Sequence, residues 1–202
     1  MRTLLTHVLT VVKETPGIKQ TIVVSSDPAV WQIAHENDAA SLAEKMPYDL
    51  NLAVTYASNL AMQRGAQAVL VLPADLPFVT AADISLMLYA GSEAAEDGDG
   101  SNGIGNGSTG GRGQPVMAIC PDLRGSGTNA LFLQPAANFE FHYGAGSVQR
   151  HVREAFEWDY QVCLVNAAGL QFDLDTEDDW HTFLADERGE IIKDSQFRLF
   201  VN

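Results

Sequence analysis

Ala68-Val69-Leu70-Val71-Leu72, running directly into Pro73-Ala74-Asp75-Leu76-Pro77, is the stretch on which the fold turns. Five consecutive apolar residues are too few for a helix and suit a central parallel strand covered on both faces. Asp75 follows that strand, fenced by Pro73 and Pro77, and open parallel sheets bind ligands beyond the carboxyl ends of their strands. A carboxylate on a stiffened turn there is placed to hold Mg²⁺, which favours a few oxygen ligands plus substrate phosphates. The alternative is that Asp75 only stabilises a turn or caps the helix beginning near Thr80.

Outward from this strand, helical and extended patterns alternate. On the amino side, Leu5, Val8, Leu9 and Val12 fall at helical spacing and make one apolar face of the opening stretch. His7 and the lack of a small-residue cleavage site argue against a signal peptide there. Pro16-Gly17 breaks the chain, Thr21 to Ser25 reads as a short buried strand, and Asp27-Pro28 starts a helix. A longer helix is expected over Leu50 to Gln63, with Leu50, Ala53, Val54, Ala57, Leu60 and Ala61 inward and Gly65 ending it. On the carboxyl side, Thr80 and Asp83 resemble a capping box for a helix using Ile84, Met87 and Leu88. Strands are expected at Val116 to Cys120, Ala130 to Leu133 and Gln161 to Val165. Ser147 is expected to cap a helix turning Val148, Val152, Ala155 and Phe156 inward, and Thr176 one carrying Trp180, Phe183 and Leu184. The economical architecture is α/β, a mostly parallel sheet with helices on both faces.

At 202 residues, 46% hydrophobic and 8% aromatic, the chain suits a single domain spanning 1–202. Nine of its seventeen glycines lie within about 91–113, which reads as a flexible surface insertion, and an acidic tail is expected from about 186. Twelve basic against 26 acidic residues give a formal charge of −14, which repels a phosphate backbone and argues against nucleic-acid binding. Cys120 and Cys163 lie too far apart for a CxxC site and fall in apolar runs, as buried thiols do. No stretch approaches the roughly 20 apolar residues of a membrane-spanning helix, so a soluble, cytoplasmic protein without a membrane partner is expected.

Two further segments carry chemistry. In Phe172-Asp173-Leu174-Asp175, the alternation puts Asp173 and Asp175 on one face of an extended chain, where paired carboxylates attract a hard cation. Glu177, Asp178 and Asp179 instead suit the first turn of a helix, where negative charge complements the dipole. Arg124 to Asn129 (RGSGTN) and Phe141 to Ser147 (FHYGAGS) form the other region. Gly144 and Gly146 permit close backbone approach, and Ser147 opens a helix whose free N–H groups suit a phosphate. Thr128, with Arg124 or Arg150, would complete an anion pocket; otherwise these are two glycine turns with solvated arginines. Metal-binding acids and an anion pocket, without a nucleophile–base pair, point to phosphoryl-type transfer. A substrate phosphate is already largely ionised near neutrality and attacks an α-phosphorus without a general base.

With these pieces assembled, LPADLP, GTNALFL, YGAGS with His151 after it, and FDLDTEDD resemble, in order over roughly residues 1 to 185, the 2-phospho-L-lactate/phosphoenolpyruvate guanylyltransferase family of deazaflavin coenzyme F-420 biosynthesis. The resemblance implies a three-layer nucleotidyltransferase sheet of the glycosyltransferase-A type, Mg²⁺ and GTP. It implies metal ligation and catalysis by Asp75, Asp173 and Asp175, and an acceptor, phosphoenolpyruvate or 2-phospho-L-lactate, held by Thr128, Gly144 and Ser147 with Arg124 and Arg150. Asn51 and Pro73 fall on its nucleotide side, although Asp49 stands where the family's GLN element has glycine. A monomer or homodimer is expected. Family members also open with an apolar strand and a basic loop that have no counterpart here, so weak activity is expected of the chain as written. Two alternatives accompany this reading: a nucleotidyltransferase of the molybdenum-cofactor type, and a non-catalytic nucleotide-binding remnant.

Overall fold

The computed structural model describes residues 2–44, 49–97 and 114–186. It opens with the expected amphipathic helix, α1 (Arg2–Glu14), whose Leu5, Val8, Leu9 and Val12 are all buried. Strand β1 (Ile22–Ser25) follows, half-buried rather than fully covered. In α2 (Pro28–Glu36), the Asp27 side chain accepts from the Ala29 N–H, so one of the helix's orphan donors is satisfied locally. Strand β2 (Ala40–Ala43) was not anticipated, since ASLA carries no β-branched residue. It pairs parallel with β1.

Helix α3 (Leu50–Gln63) has the expected bounds, and Gly65, at φ +90°, ends it in the left-handed region. Its buried positions are Val54 and Ser58; Leu50, expected inward, is 58% exposed. Strand β3 (Val69–Val71) corrects the expectation of a central parallel strand. It is half-buried, and its ladder is antiparallel, to β5. Helix α4 (Ala81–Asp97) starts on the Thr80–Asp83 box: Asp83 Oδ2 accepts from the Thr80 N–H at 2.9 Å while the Asp83 N–H donates back to Thr80 Oγ1. The helix continues through Gly91, so 91–97 is not part of a loop; the glycine-rich remainder, 98–113, and the tail beyond 186 lie outside the described residues. Gly91 is required by packing, because a Cβ there would fall 2.2 Å from the Phe132 ring.

Strands β4 (Val116–Pro121), β5 (Thr128–Gln134) and β6 (Gln161–Leu164), with β3, make a sheet of order β3-β5-β4-β6. The β4–β5 ladder is antiparallel and the β4–β6 ladder parallel. Alternation along β4 and β5 divides their side chains between two cores. Ala118, Cys120, Ala130 and Phe132 meet α1 and α4 through Val8, Val12, Ile84 and Met87. Met117, Ile119, Leu131 and Leu133 face the other way, with Val54 of α3 and Ala155 of α5 (Ser147–Glu157). Helices therefore cover both faces of the sheet, giving three layers. On α5 the inward residues are Ser147, His151, Glu154 and Ala155, while Phe156, expected inward, is 66% exposed. A short helix, α6 (Ala168–Gln171), was not foreseen. Helix α7 (Glu177–Ala185) begins with the full Thr176–Asp179 capping box and buries Phe183, while Leu184 stays largely exposed. Cys120 is buried and Cys163 half-buried; both are free thiols whose pKa burial pushes up. No helix among the described residues is long and apolar enough to cross a membrane.

Candidate active site

The turn after β3 and the strand-like segment before α7 are tied together by their backbones: the Leu174 N–H donates to the Asp75 carbonyl at 3.1 Å. A small aromatic core fixes this junction. Phe78, Phe172 and Phe183 pack with ring centroids 5.0 and 5.7 Å apart about Phe78, and Leu174 and Trp180 rest against them. Because Phe172 and Leu174 are drawn into that core, alternation turns Asp173 and Asp175 the other way, toward Asp75.

The electrostatics register this proximity. Burial raises the pKa of Asp75, and the charges of Asp175 and Asp173 raise it further. Asp173 is raised too, first by burial and then by Asp175. Oδ1 of Asp75 is buried and has no hydrogen-bond partner among the described residues. Asn129 lies near enough to Asp173 to favour its charged form, yet its buried Nδ2 makes no well-formed hydrogen bond among the described residues. Three carboxylates that repel one another, an orphaned acceptor and an orphaned donor fit a site that takes a cation and a polar ligand. Asn129 was missed by the sequence reading, although it follows Thr128 directly.

Between β4 and β5 the chain makes a tight turn. Asp122 Oδ1 accepts from the Ser126 N–H at 2.9 Å, and the Asp122 N–H donates to the Gly127 carbonyl. Arg124 sits exposed in this turn; the pKa of Asp179 is lowered chiefly by its hydrogen bond with Thr176, and the Arg124 charge adds to that in a minor way. At the start of β5, Thr128 Oγ1 lies 2.9 Å from Ser147 Oγ and 3.1 Å from Nδ1 of His151. Thr128, Ser147 and His151 are all buried, so the sequence-predicted hydroxyls do come together.

The helix entrance differs from expectation. Gly146, at φ +68°, is the N-cap and Ser147 the first helical residue. The N–H of Ser147 donates to the Gly144 carbonyl and that of Val148 to the Ser126 carbonyl, so these donors are spent on the protein and not left free for a phosphate. Arg150 Nη2 donates to the Ala145 carbonyl at 2.9 Å and the Tyr143 carbonyl at 3.4 Å, bracing the loop that contains Gly144. Asn51 serves the same loop from α3, accepting from the Tyr143 N–H at 2.6 Å. Pro73 lies half-buried between β3 and Asp75.

A second polar group was not foreseen. The donor atoms of Glu140, His142 and Glu154 lie within 4.8 Å of one another. Glu154 Oε1 accepts from Trp158 Nε1 at 2.8 Å and the Glu140 N–H at 3.3 Å, and Oε2 meets His142 Nε2 at 3.3 Å. So engaged, Glu154 acts as a clamp holding residues 140–142 on α5.

Residues 1–136 match the MobA-like NTP transferase domain. The chain is 34% identical over 163 residues to phosphoenolpyruvate guanylyltransferase of Rubrobacter xylanophilus, covering 81% of this chain and 69% of that protein. It is 27% identical over 175 residues to 2-phospho-L-lactate guanylyltransferase of Methanothermobacter thermautotrophicus, covering 87% and 64%. Among solved structures, 4-diphosphocytidyl-2C-methyl-D-erythritol synthase superposes with a TM-score of 0.59 at 13% identity, over 89% of this chain and 87% of that one. That likeness is one of fold.

Proposed function

This chain belongs to the MobA-like NTP transferases and, within them, to the phosphoenolpyruvate guanylyltransferases, and from that membership we propose that it moves GMP from GTP onto the phosphate of phosphoenolpyruvate or a close phospho-acid such as 2-phospho-L-lactate. The observation that carries the site is the junction of Asp75 with Asp173 and Asp175, locked by the Leu174-to-Asp75 backbone bond, with Asp75 Oδ1 left without a partner. These three aspartates would hold a divalent cation, Mg²⁺ in this reading, whose charge would screen the phosphates of both substrates.

An oxygen of the acceptor's phosphate, ionised near neutrality, forms a bond to the α-phosphorus of GTP. The bond from that phosphorus to the β-phosphate bridging oxygen breaks, and pyrophosphate leaves with the electron pair. No proton transfer is required, so the hydroxyls of Thr128 and Ser147, although His151 lies beside them, serve in this reading to bind and not to attack. The chain's own part is positioning and charge. Thr128 and Ser147 offer hydroxyls to the acceptor, Gly144 gives room for close approach, and Asn51 and Arg150 hold the 143–146 loop in place. Arg124, exposed in the neighbouring turn, supplies a cation at the mouth, and Pro73 stiffens the nucleotide side. The product, a guanylylated phospho-acid, is in this reading the activated precursor in deazaflavin coenzyme synthesis.

The test is pyrophosphate release from GTP with phosphoenolpyruvate, 2-phospho-L-lactate and 3-phosphoglycerate offered separately, with and without Mg²⁺. Magnesium-dependent turnover with one of the three is expected. Turnover with CTP and none with GTP would overturn the guanylyl assignment.

A further inference from the structure

His151 is completely buried, and both of its ring nitrogens are engaged. Nε2 lies 2.8 Å from the backbone nitrogen of His142, and Nδ1 lies 3.1 Å from Thr128 Oγ1. A backbone N–H can only donate, so Nε2 must present its lone pair. Burial, together with the charges of His142 and Arg150, pulls the His151 pKa down to about 3, so the ring is neutral. A neutral imidazole with a bare Nε2 carries its proton on Nδ1, and that proton goes to Thr128. The His142 N–H is itself held in place, because Glu140 is bonded to Glu154 and Tyr143 to Asn51 on either side of it.

The consequence lies in the hydroxyl protons. Thr128 and Ser147 have two between them. One fills their mutual bond, and Thr128 already accepts from His151, so the other proton has no acceptor among the described residues. With the opposite tautomer, Thr128 would donate to Nδ1 and Ser147 to Thr128; both protons would be consumed and only lone pairs would face a ligand. An anion requires the first arrangement.

We propose that His151 is a positioning residue that, through an Nδ1–H tautomer imposed by the His142 backbone, makes the Thr128–Ser147 hydroxyl pair a net hydrogen-bond donor to the acceptor's anionic group. This rests on the reading above that Thr128 and Ser147 hold the acceptor.

The decisive measurement is a long-range ¹⁵N–¹H NMR spectrum of the unaltered, ¹⁵N-labelled chain. His151 should show a protonated Nδ1 and an unprotonated Nε2; an Nε2–H or doubly protonated ring overturns the proposal. Kinetics give the second arm. His151→Phe should raise KM for phosphoenolpyruvate about tenfold, the scale of one lost bond to a charged group, with KM for GTP and kcat little changed. His151→Asn, whose amide can still donate to Thr128, should recover much of that loss. Equal increases in both KM values would reduce His151 to a packing role and overturn it. If neither variant folds, Thr128→Val decides with the spectrum. An unchanged KM for phosphoenolpyruvate in Thr128→Val removes the acceptor-binding reading and this proposal with it. A raised KM alongside an Nε2–H ring leaves that reading standing and sinks this one.

Discussion

Replacing Asp75 by Asn should separate stability from function. The side chain keeps its volume and loses a charge that burial and two neighbouring aspartates oppose, at an atom with no partner. An unsatisfied buried polar group costs about 1–3 kcal/mol, and the Asn amide relieves only the charged part, so a gain of about 1 kcal/mol is expected without metal. For a chain of this size that corresponds to a rise of roughly 2–4 °C in Tm. Activity should move the other way. Loss of a metal ligand removes several kcal/mol of transition-state charge stabilisation, and about 3–4 kcal/mol is a factor of roughly 10²–10³ in kcat. Two assays read this: pyrophosphate release from GTP with phosphoenolpyruvate, and thermal melting with and without MgCl₂. Mg²⁺ should raise the Tm of the unaltered protein, since it binds only the folded state, and should do so far less in Asp75→Asn. Near-normal turnover at saturating Mg²⁺, or an equal magnesium-induced rise in Tm, would refute the metal assignment. A lower Tm in metal-free buffer would refute the electrostatic argument.

Asp178→Asn, at an exposed first-turn position of α7, should change turnover less than about twofold in the same assay, since surface substitutions away from special features cost little. Thr176→Ala removes the hydroxyl that accepts from the Asp179 N–H and should destabilise by about 1 kcal/mol in urea titration. Gly91→Ala forces a Cβ into the Phe132 ring and should destabilise by about 1–3 kcal/mol; unchanged stability would mean that α4 and β5 are less closely packed than described. The pH dependence follows from His151, whose folded pKa of about 3 lies below its ordinary value of 6.5. Below pH 6.5 the unfolded chain takes up a proton that the folded one refuses. The stability present above that pH is therefore lost on acidification, by about 1.4 kcal/mol per pH unit until about pH 3. Asp75 and Asp173, with raised pKa values, work in the opposite sense, so the His151 part is read as the difference in pH slope between the unaltered chain and His151→Asn, in which it should vanish.

Local order was written in local sequence. The face of α1, the Asp27 and Thr176 caps, the bounds of α3 with its terminating Gly65, and the core strands β4 and β5 each follow from residues within a few positions of one another. Such signals need no partner to act. The grouping of LPADLP, GTNALFL, YGAGS and FDLDTEDD likewise identified the family before any geometry was known. What the sequence could not fix is decided by contacts between distant segments. β3 reads as central and parallel because an apolar run records burial and not the direction of its neighbour; its antiparallel partner, β5, lies some sixty residues on. Leu50 and Phe156 sit on apolar helical stripes, but a stripe extends to the helix ends whether or not a neighbour reaches that far, and among the described residues both stay largely exposed. The same holds at the site. The aspartates could be named from their motifs. That Asn129 stands beside Asp173, that Asn51 and Arg150 brace the 143–146 loop, and that His151 links Thr128 to the His142 backbone depend on hydrogen bonds across turns and layers, whose partners only the folded chain brings within reach.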